Sequence, residues 1–231
     1  MKYKHLFFDL DHTLWDFDAN ARASLMQLHV DLNLPEKGIH DFDAFYRNYL
    51  VHNEALWAKY RAGQIRQDEL RLKRMWLALL DFKIADEALA KQMNELFLQL
   101  LPTRTLLFPD TKEVLQYLRE KGYALHIITN GFDEVQHSKL KNSELDEFFK
   151  VVITSEGSNS LKPQKEIFEY ALNKTGARVE ESLMIGDAVD VDVLGALSVG
   201  MDAVHVNYHR AEQEVEPTYT IYHLKELKDF L

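Results

Sequence analysis

After about residue 104, short apolar runs alternate with helical patterns, and that alternation constrains the fold more than any other feature of the chain. Short apolar runs separated by helix-length segments predict an α/β protein whose strands lie parallel, with the helices as crossovers. Asp110 reads as the cap of a helix that buries Val114, Leu115 and Leu118 and stops at Gly122. Ala124–Ile128 reads as a strand, a helix starts near Asp133, and Val151–Thr154 is the next strand. A helix over Gln164–Asn173 ends at Gly176, Leu183–Ile185 is a strand, and a helix over Val191–Val199 ends at Gly200. The strand Ala203–Val206 and a terminal helix Leu224–Leu231 close the series. One more apolar run, Leu6–Phe8, stands far upstream as a buried strand.

Residues 17–103 break the pattern. They carry no convincing strand, and Phe42, Phe45, Tyr46, Tyr49 and Leu50 recur at the spacing of an apolar helix face. Leu70, Met75, Leu77 and Leu79 belong to a second helix, and Leu89, Met93, Leu96 and Phe97 to a third. The expected organisation is a discontinuous α/β core, 1–16 and 104–231, around an all-helical insertion, 17–103. The chain's 231 residues suffice for both.

Composition narrows the chemistry. With no cysteine, the chain offers no disulfide framework, zinc-thiolate site or thiol nucleophile. Asp9 interrupts the first apolar run, so it is not a signal peptide, and no run approaches a membrane span. A cytoplasmic protein is expected. The net charge of −10 argues against long nucleic acid, which needs a basic surface, but not against a small phosphate ester held by local charges.

The run Leu6–Phe8 leads into Asp9-Leu10-Asp11-His12-Thr13-Leu14. Two carboxylates at the carboxyl end of a strand sit where ligands of open α/β sheets gather, and they call for a positive partner. Mg²⁺, a hard cation that takes oxygen ligands, is the first candidate, with Mn²⁺ as the alternative. Three further segments follow in order: His126-Ile127-Ile128-Thr129-Asn130-Gly131, Leu161-Lys162-Pro163, and Leu183-Met184-Ile185-Gly186-Asp187 with Asp192-Val193-Leu194-Gly195-Ala196. Each is weak alone: Thr-Asn-Gly is a turn signal, and Lys-Pro reads as a helix start with proline at its first position. Together and in this order, they resemble the four motifs of the haloacid dehalogenase superfamily, whose members are mostly phosphatases with a Rossmann-like core.

The resemblance implies roles. Asp9 resembles the nucleophile that forms an aspartyl-phosphate, and Asp11 the general acid and base. The family's dehalogenases lack an aspartate at the position of Asp11, because halide leaves without a proton, so Asp11 points to phosphoryl transfer. By the same resemblance, the Asp9 carboxylate, the Asp11 carbonyl and the Asp187 carboxylate would hold Mg²⁺, with Asp192 acting through water or through Lys162. Lys162 would neutralise Asp9 and the phosphoryl oxygens. Thr129 and the backbone N–H groups near Leu10, Asn130 and Gly131 would cradle the transferring group. Asp190 is read as stabilising the following helix, Thr13 as bonding locally, and His12 as loop packing.

The substrate is a small phosphorylated metabolite, and its identity rests on the insertion. His52–Gly63 and Thr13–Phe17 resemble segments of the pyrimidine 5′-nucleotidase branch, and the insertion resembles the family's cap. Asn53, Trp57 and Tyr60 fall at i, i+4 and i+7, offering an amide and aromatic faces to a nucleobase. Asn53 interrupts an apolar stripe, and a buried amide needs partners. The alternative use of Trp57 and Tyr60 is ordinary hydrophobic packing. The expected activity is therefore a nucleoside 5′-monophosphate phosphatase, with a sugar-phosphate or acyl-sugar acid phosphatase as the nearest alternative. A phosphomutase would use Asp11 equally well. A non-catalytic phosphate-binding module would have lost one of Asp9, Asp11, Lys162 or Asp187, and all are present.

Overall fold

In the computed structural model, residues 2–212 and 214–231 are described, and the chain divides into two compact units. The helical unit, Asp18–Arg104, is built from α1 (Phe17–Asp31), α2 (Phe42–Arg61), α3 (Gln67–Leu80) and α4 (Glu87–Leu100). Its core is Phe45, Tyr49, Leu70, Met75, Met93 and Phe97, the apolar positions of helical spacing. Asp41 and Asp86 cap α2 and α4, each accepting a backbone N–H three residues on, which satisfies one of the donors a helix start leaves open. Among the described residues no helix is long and apolar enough to cross a membrane.

The second unit comprises the residues up to Phe17 and Thr105–Leu231. Its six strands are β1 (His5–Phe8), β2 (Ala124–Thr129), β3 (Val151–Thr154), β4 (Ser182–Gly186), β5 (Asp202–Val206) and β6 (Tyr219–Ile221). They form one parallel sheet in the order β3-β2-β1-β4-β5-β6. The crossovers carry α5 (Thr111–Glu120), α6 (Asp133–Asn142), the single turn α7 (Ser155–Ser158), α8 (Lys165–Thr175) and α9 (Leu194–Ser198). On one face Phe7, Ile128, Ile153, Met184 and Ala203 from five strands pack against Ile167, Phe168 and Ala171 of α8 and Ala196 of α9. Because β1 lies between β2 and β4, the sheet reverses its winding beside β1. The carboxyl ends of these strands therefore open the crevice where such folds bind ligands.

Several local expectations need correction. Asp110 precedes α5 in a left-handed conformation, and its side chain makes no capping bond. α8 begins at Lys165, two residues beyond Pro163, so the proline is not its first residue; the Lys162–Pro163 bond is cis. The segment after β4 starts earlier than periodicity indicates, as a wide π turn over Val189–Val193 that continues into α9. The terminal helix is of the 3₁₀ type and ends at Asp229, two residues short of the expected end. β6 has no counterpart in the sequence reading, since three edge residues with one buried side chain carry no measurable period.

His126 in β2 is buried, stacked on Phe7 at 4.9 Å, with Nε2 3.1 Å from His5 Nδ1 and Nδ1 without a partner among the described residues. Burial, then the neighbouring His5 and Lys150, push its pKa down to about 4. The unfolded chain binds this proton near pH ~6.5 and the folded chain only near 4, so stability present above that window is lost as pH falls through it. His126→Phe keeps an aromatic ring and removes the titration. It should flatten the fall in melting midpoint between about pH 7 and about pH 4.5; an unchanged slope would show that His126 is not its source.

Candidate active site

The side chains of interest follow the strand ends. β1 runs straight into Asp9, whose N–H still bonds the Ile185 carbonyl at 2.9 Å, so sheet pairing holds the residue in place. The chain then folds back: the Leu10 carbonyl accepts the N–H groups of Leu14 and Trp15, and His12 takes a left-handed conformation with its ring 5.1 Å from Phe17.

Lys162 is the centre of the arrangement. It is 1% exposed, and its ammonium donates to Asp9 Oδ1 at 2.5 Å and Asp192 Oδ1 at 2.7 Å. Burial opposes its charge, but Asp192 and Asp9 outweigh burial and hold its pKa above the usual lysine value. The Lys162 backbone is clamped by Asn130, whose side chain accepts its N–H at 2.7 Å and donates to its carbonyl at 2.9 Å. The Asn130 amide is thus committed to positioning Lys162. Asp192 Oδ2 also accepts the Ala188 N–H at 3.1 Å.

One oxygen each of Asp9, Asp187 and Asp192 lies within 4.8 Å of the others, while Lys162 is the ammonium that bonds to this cluster. Burial and mutual repulsion raise the pKa of Asp9 and Asp187 despite Lys162. An excess of buried negative charge with oxygen ligands is what a hard divalent cation neutralises, so the donor set fits Mg²⁺. Asp190 is exposed and outside the cluster. Thr13 does not bond locally as expected: its hydroxyl donates to Asp187 Oδ1 at 2.9 Å, tying the first loop to the end of β4.

Thr129 and Asp11 share partners from α6. The Thr129 hydroxyl oxygen accepts from the Gly131 N–H at 3.1 Å and from Gln136 Nε2 at 2.7 Å, which leaves its own proton to donate. Gln136 Nε2 also reaches Asp11 Oδ2 at 3.0 Å, and Lys139 Nζ contacts both Asp11 oxygens at 2.7 and 2.9 Å. Lys139 is 2% exposed and lies 4.4 Å over the Trp15 ring. Sequence reasoning missed Gln136 and Lys139. Both are buried polar residues on a helix, and the only available hint was two polar side chains three apart on the inward face of α6.

Beside the Thr129 and Lys162 clusters, two glycines are required by close approach. A Cβ on Gly131 would lie 2.3 Å from the Gln136 side chain, and one on Gly186 would lie 2.3 Å from Asp192 Oδ2. In the helical unit, Asn53 is buried and accepts from Arg74 Nη1 at 3.5 Å, while Trp57 and Tyr60 are half-buried and meet edge to face at 5.7 Å. Gly186→Ala should push Asp192 off Lys162, reducing stability by about 1–3 kcal/mol in a urea melt and lowering turnover as well. Wild-type stability and turnover in this variant would show that the site tolerates the displacement.

Comparison with known proteins places this geometry. The profile of the haloacid dehalogenase-like hydrolase family matches residues 3–200. Pyrimidine 5′-nucleotidase PynA of Streptococcus pneumoniae is 32% identical over all of this chain and 96% of its own length. A glyceraldehyde 3-phosphate phosphatase of Methanothermobacter thermautotrophicus is 31% identical over 91% of this chain and 88% of its own. Among solved structures, the magnesium-bound putative hydrolase YfnB of Bacillus subtilis superposes with a TM-score of 0.90 at 27% identity, over 99% of this chain and 98% of that one. With the motif residues gathered at the strand ends and matches that span the chain, this protein belongs to the haloacid dehalogenase-like hydrolase family, among its phosphatases.

Proposed function

We propose that this chain is a Mg²⁺-dependent phosphomonoester hydrolase that works through an aspartyl-phosphate on Asp9 and acts on pyrimidine nucleoside 5′-monophosphates. The observation that carries the chemistry is a buried Asp9 held by Lys162 beside two further carboxylates, with a second, separately held aspartate two residues on. Asp9, Asp187 and the Asp11 carbonyl would hold the cation, with Asp192 nearby. Bound there, Mg²⁺ (or Mn²⁺) supplies positive charge against the phosphoryl oxygens and the clustered carboxylates.

The chain's own residues divide the remaining work. An Asp9 carboxylate oxygen attacks phosphorus, the bond from phosphorus to the ester oxygen breaks, and Asp11 supplies the proton that oxygen needs to leave. Water then attacks the phosphorus of the aspartyl-phosphate. Asp11 takes its proton and the Asp9 carboxylate is regenerated. Lys162 neutralises charge on the transferring group, and Thr129, its oxygen already occupied by Gly131 and Gln136, donates its hydroxyl proton to a phosphoryl oxygen. Backbone N–H groups near Leu10 and Asn130 complete the cradle, while the Gly131 N–H, expected there from the sequence, is given to the Thr129 hydroxyl. Lys139 and Gln136 fix the direction of the Asp11 carboxylate and so act as positioning residues.

The pyrimidine nucleotide assignment is supported by likeness to PynA along the whole chain, and by Asn53 and Trp57 as candidate contacts to a base. A second reading, hydrolysis of glyceraldehyde 3-phosphate or a similar small sugar phosphate, is favoured by the archaeal relative at nearly the same identity. A cytoplasmic setting, with a small phosphorylated metabolite as the only required partner, belongs to the same proposal.

Turnover of UMP, CMP and glyceraldehyde 3-phosphate, measured side by side with Mg²⁺, decides between the two readings. We expect kcat/KM to favour the nucleotides; preference for the triose phosphate would select the second reading. Asp9→Asn should abolish hydrolysis in a folded protein, and EDTA should silence the wild type until Mg²⁺ is restored. Metal-free turnover, or an active Asp9→Asn, would refute the mechanism. Lys139→Met should slow alkyl esters, whose leaving oxygen needs a proton, more than p-nitrophenyl phosphate, whose leaving group does not. Equal losses on both would make Lys139 merely structural.

A further inference from the structure

Arg74 on α3 is the least compensated charge in the helical unit. It is 3% exposed, and an arginine keeps its charge even when buried. Its Nη1 donates to Asn53 Oδ1 at 3.5 Å, the outer limit of a hydrogen bond, while Nε and Nη2 have no partner among the described residues. The guanidinium lies 5.0 Å over the Phe97 ring and beside the buried Tyr49 hydroxyl, where its charge opposes the rise that burial gives the Tyr49 pKa. A buried ion without hydrogen-bonding partners opposes folding, and buried guanidinium groups are ordinarily satisfied by carboxylates or carbonyls. Among the described residues no carboxylate bonds to it, so Nε and Nη2 are left as open donors inside the unit.

The donors have a definite shape. Nε and Nη2 lie on one edge of a rigid plane and point the same way, matching a carbonyl oxygen with two lone pairs or two adjacent acceptors on a flat ring. Arginine reads the carbonyl edge of a base in this manner. Because Asn53 turns its oxygen toward Arg74, its amide nitrogen faces away as a further donor, and Phe97 covers one face of the cation. We propose that Arg74, with Tyr49 and Asn53, forms a site in the helical unit that binds the carbonyl edge of a pyrimidine base. The choice of ligand rests on the nucleotidase reading. The site itself rests on the unfilled donors.

The test is ligand-dependent melting of the full chain with uridine, cytidine, ribose and acetate, for the wild type and for Arg74→Met and Arg74→Lys. Uridine and cytidine should raise the wild-type midpoint, and ribose and acetate should not. Arg74→Met replaces an uncompensated charge with an apolar chain of similar length, so its own midpoint should be no lower than the wild type's, while its dissociation constants for both nucleosides rise at least tenfold. Arg74→Lys keeps the charge without the planar edge and should lose binding as well. A lower midpoint in Arg74→Met with nucleoside binding unchanged would make Arg74 a structural cation and overturn the proposal. So would nucleoside binding by Arg74→Lys equal to wild type, no nucleoside effect on the wild type, or an Arg74-dependent effect of acetate as large as that of uridine. UMP and CMP turnover measured in parallel separates the two ideas: turnover without Arg74-dependent nucleoside binding removes this site alone, and no nucleotide turnover removes the nucleotidase reading.

Discussion

The buried ammonium of Lys162, shared between Asp9 and Asp192, is the contact on which the rest of the site depends. Three carboxylates converge, burial raises the pKa of Asp9 and Asp187, and Lys162 neutralises only part of the charge. The surrounding structure supports this one cation. Asn130 grips its backbone from both sides, and the glycine at the end of β4 leaves room for Asp192 to reach it. The negative charge that remains is the physical reason the cluster suits a divalent cation, and it follows from burial rather than from the number of acidic residues in the chain.

Asp11 is held by a different device. Although two residues from Asp9, its oxygens are taken by Lys139 and Gln136 of α6 and stand outside the carboxylate cluster. Strand alternation alone would keep residues two apart on one face; the turn after Leu10, whose carbonyl accepts the N–H groups of Leu14 and Trp15, is what separates the two aspartates. One aspartate faces a lysine from the loop before α8, the other a lysine from α6, so two chemically identical groups sit in different environments. Gln136 links them to the phosphate end of β2, because the same Nε2 reaches both Asp11 and Thr129. The direction of the Asp11 carboxylate and the donor role of the Thr129 hydroxyl are thereby coupled.

The helical unit shows the opposite balance. Its apolar face forms as helical periodicity requires, with Phe45, Tyr49, Met75, Met93 and Phe97 fully buried. Arg74, Asn53 and the Tyr49 hydroxyl are polar groups within that core whose bonds are few or missing. Such a conflict between local chemistry and packing is most often found at functional positions, where stability is not the property being optimised.

The sequence by itself determined the α/β class, the helical character of residues 17–103, and the family, because each rests on short-range information: apolar period, turn residues, and motif order. It also singled out Asp9, Asp11, Thr129, Lys162, Asp187 and Asp192, through the resemblance of four short segments, in order, to the family's motifs. Only the tertiary structure decided who meets whom. That Thr13 bonds Asp187 and that Lys139 bonds Asp11 are contacts across 174 and 128 residues, invisible to any local pattern. β6, an edge strand of three residues, and the π turn over Val189–Val193 depend on neighbours rather than on their own propensities. Hydrogen-bond partners of buried polar side chains are chosen by the packed fold, and for that reason the clamp on Asp11 and the unfilled donors of Arg74 emerge only once the chain is folded.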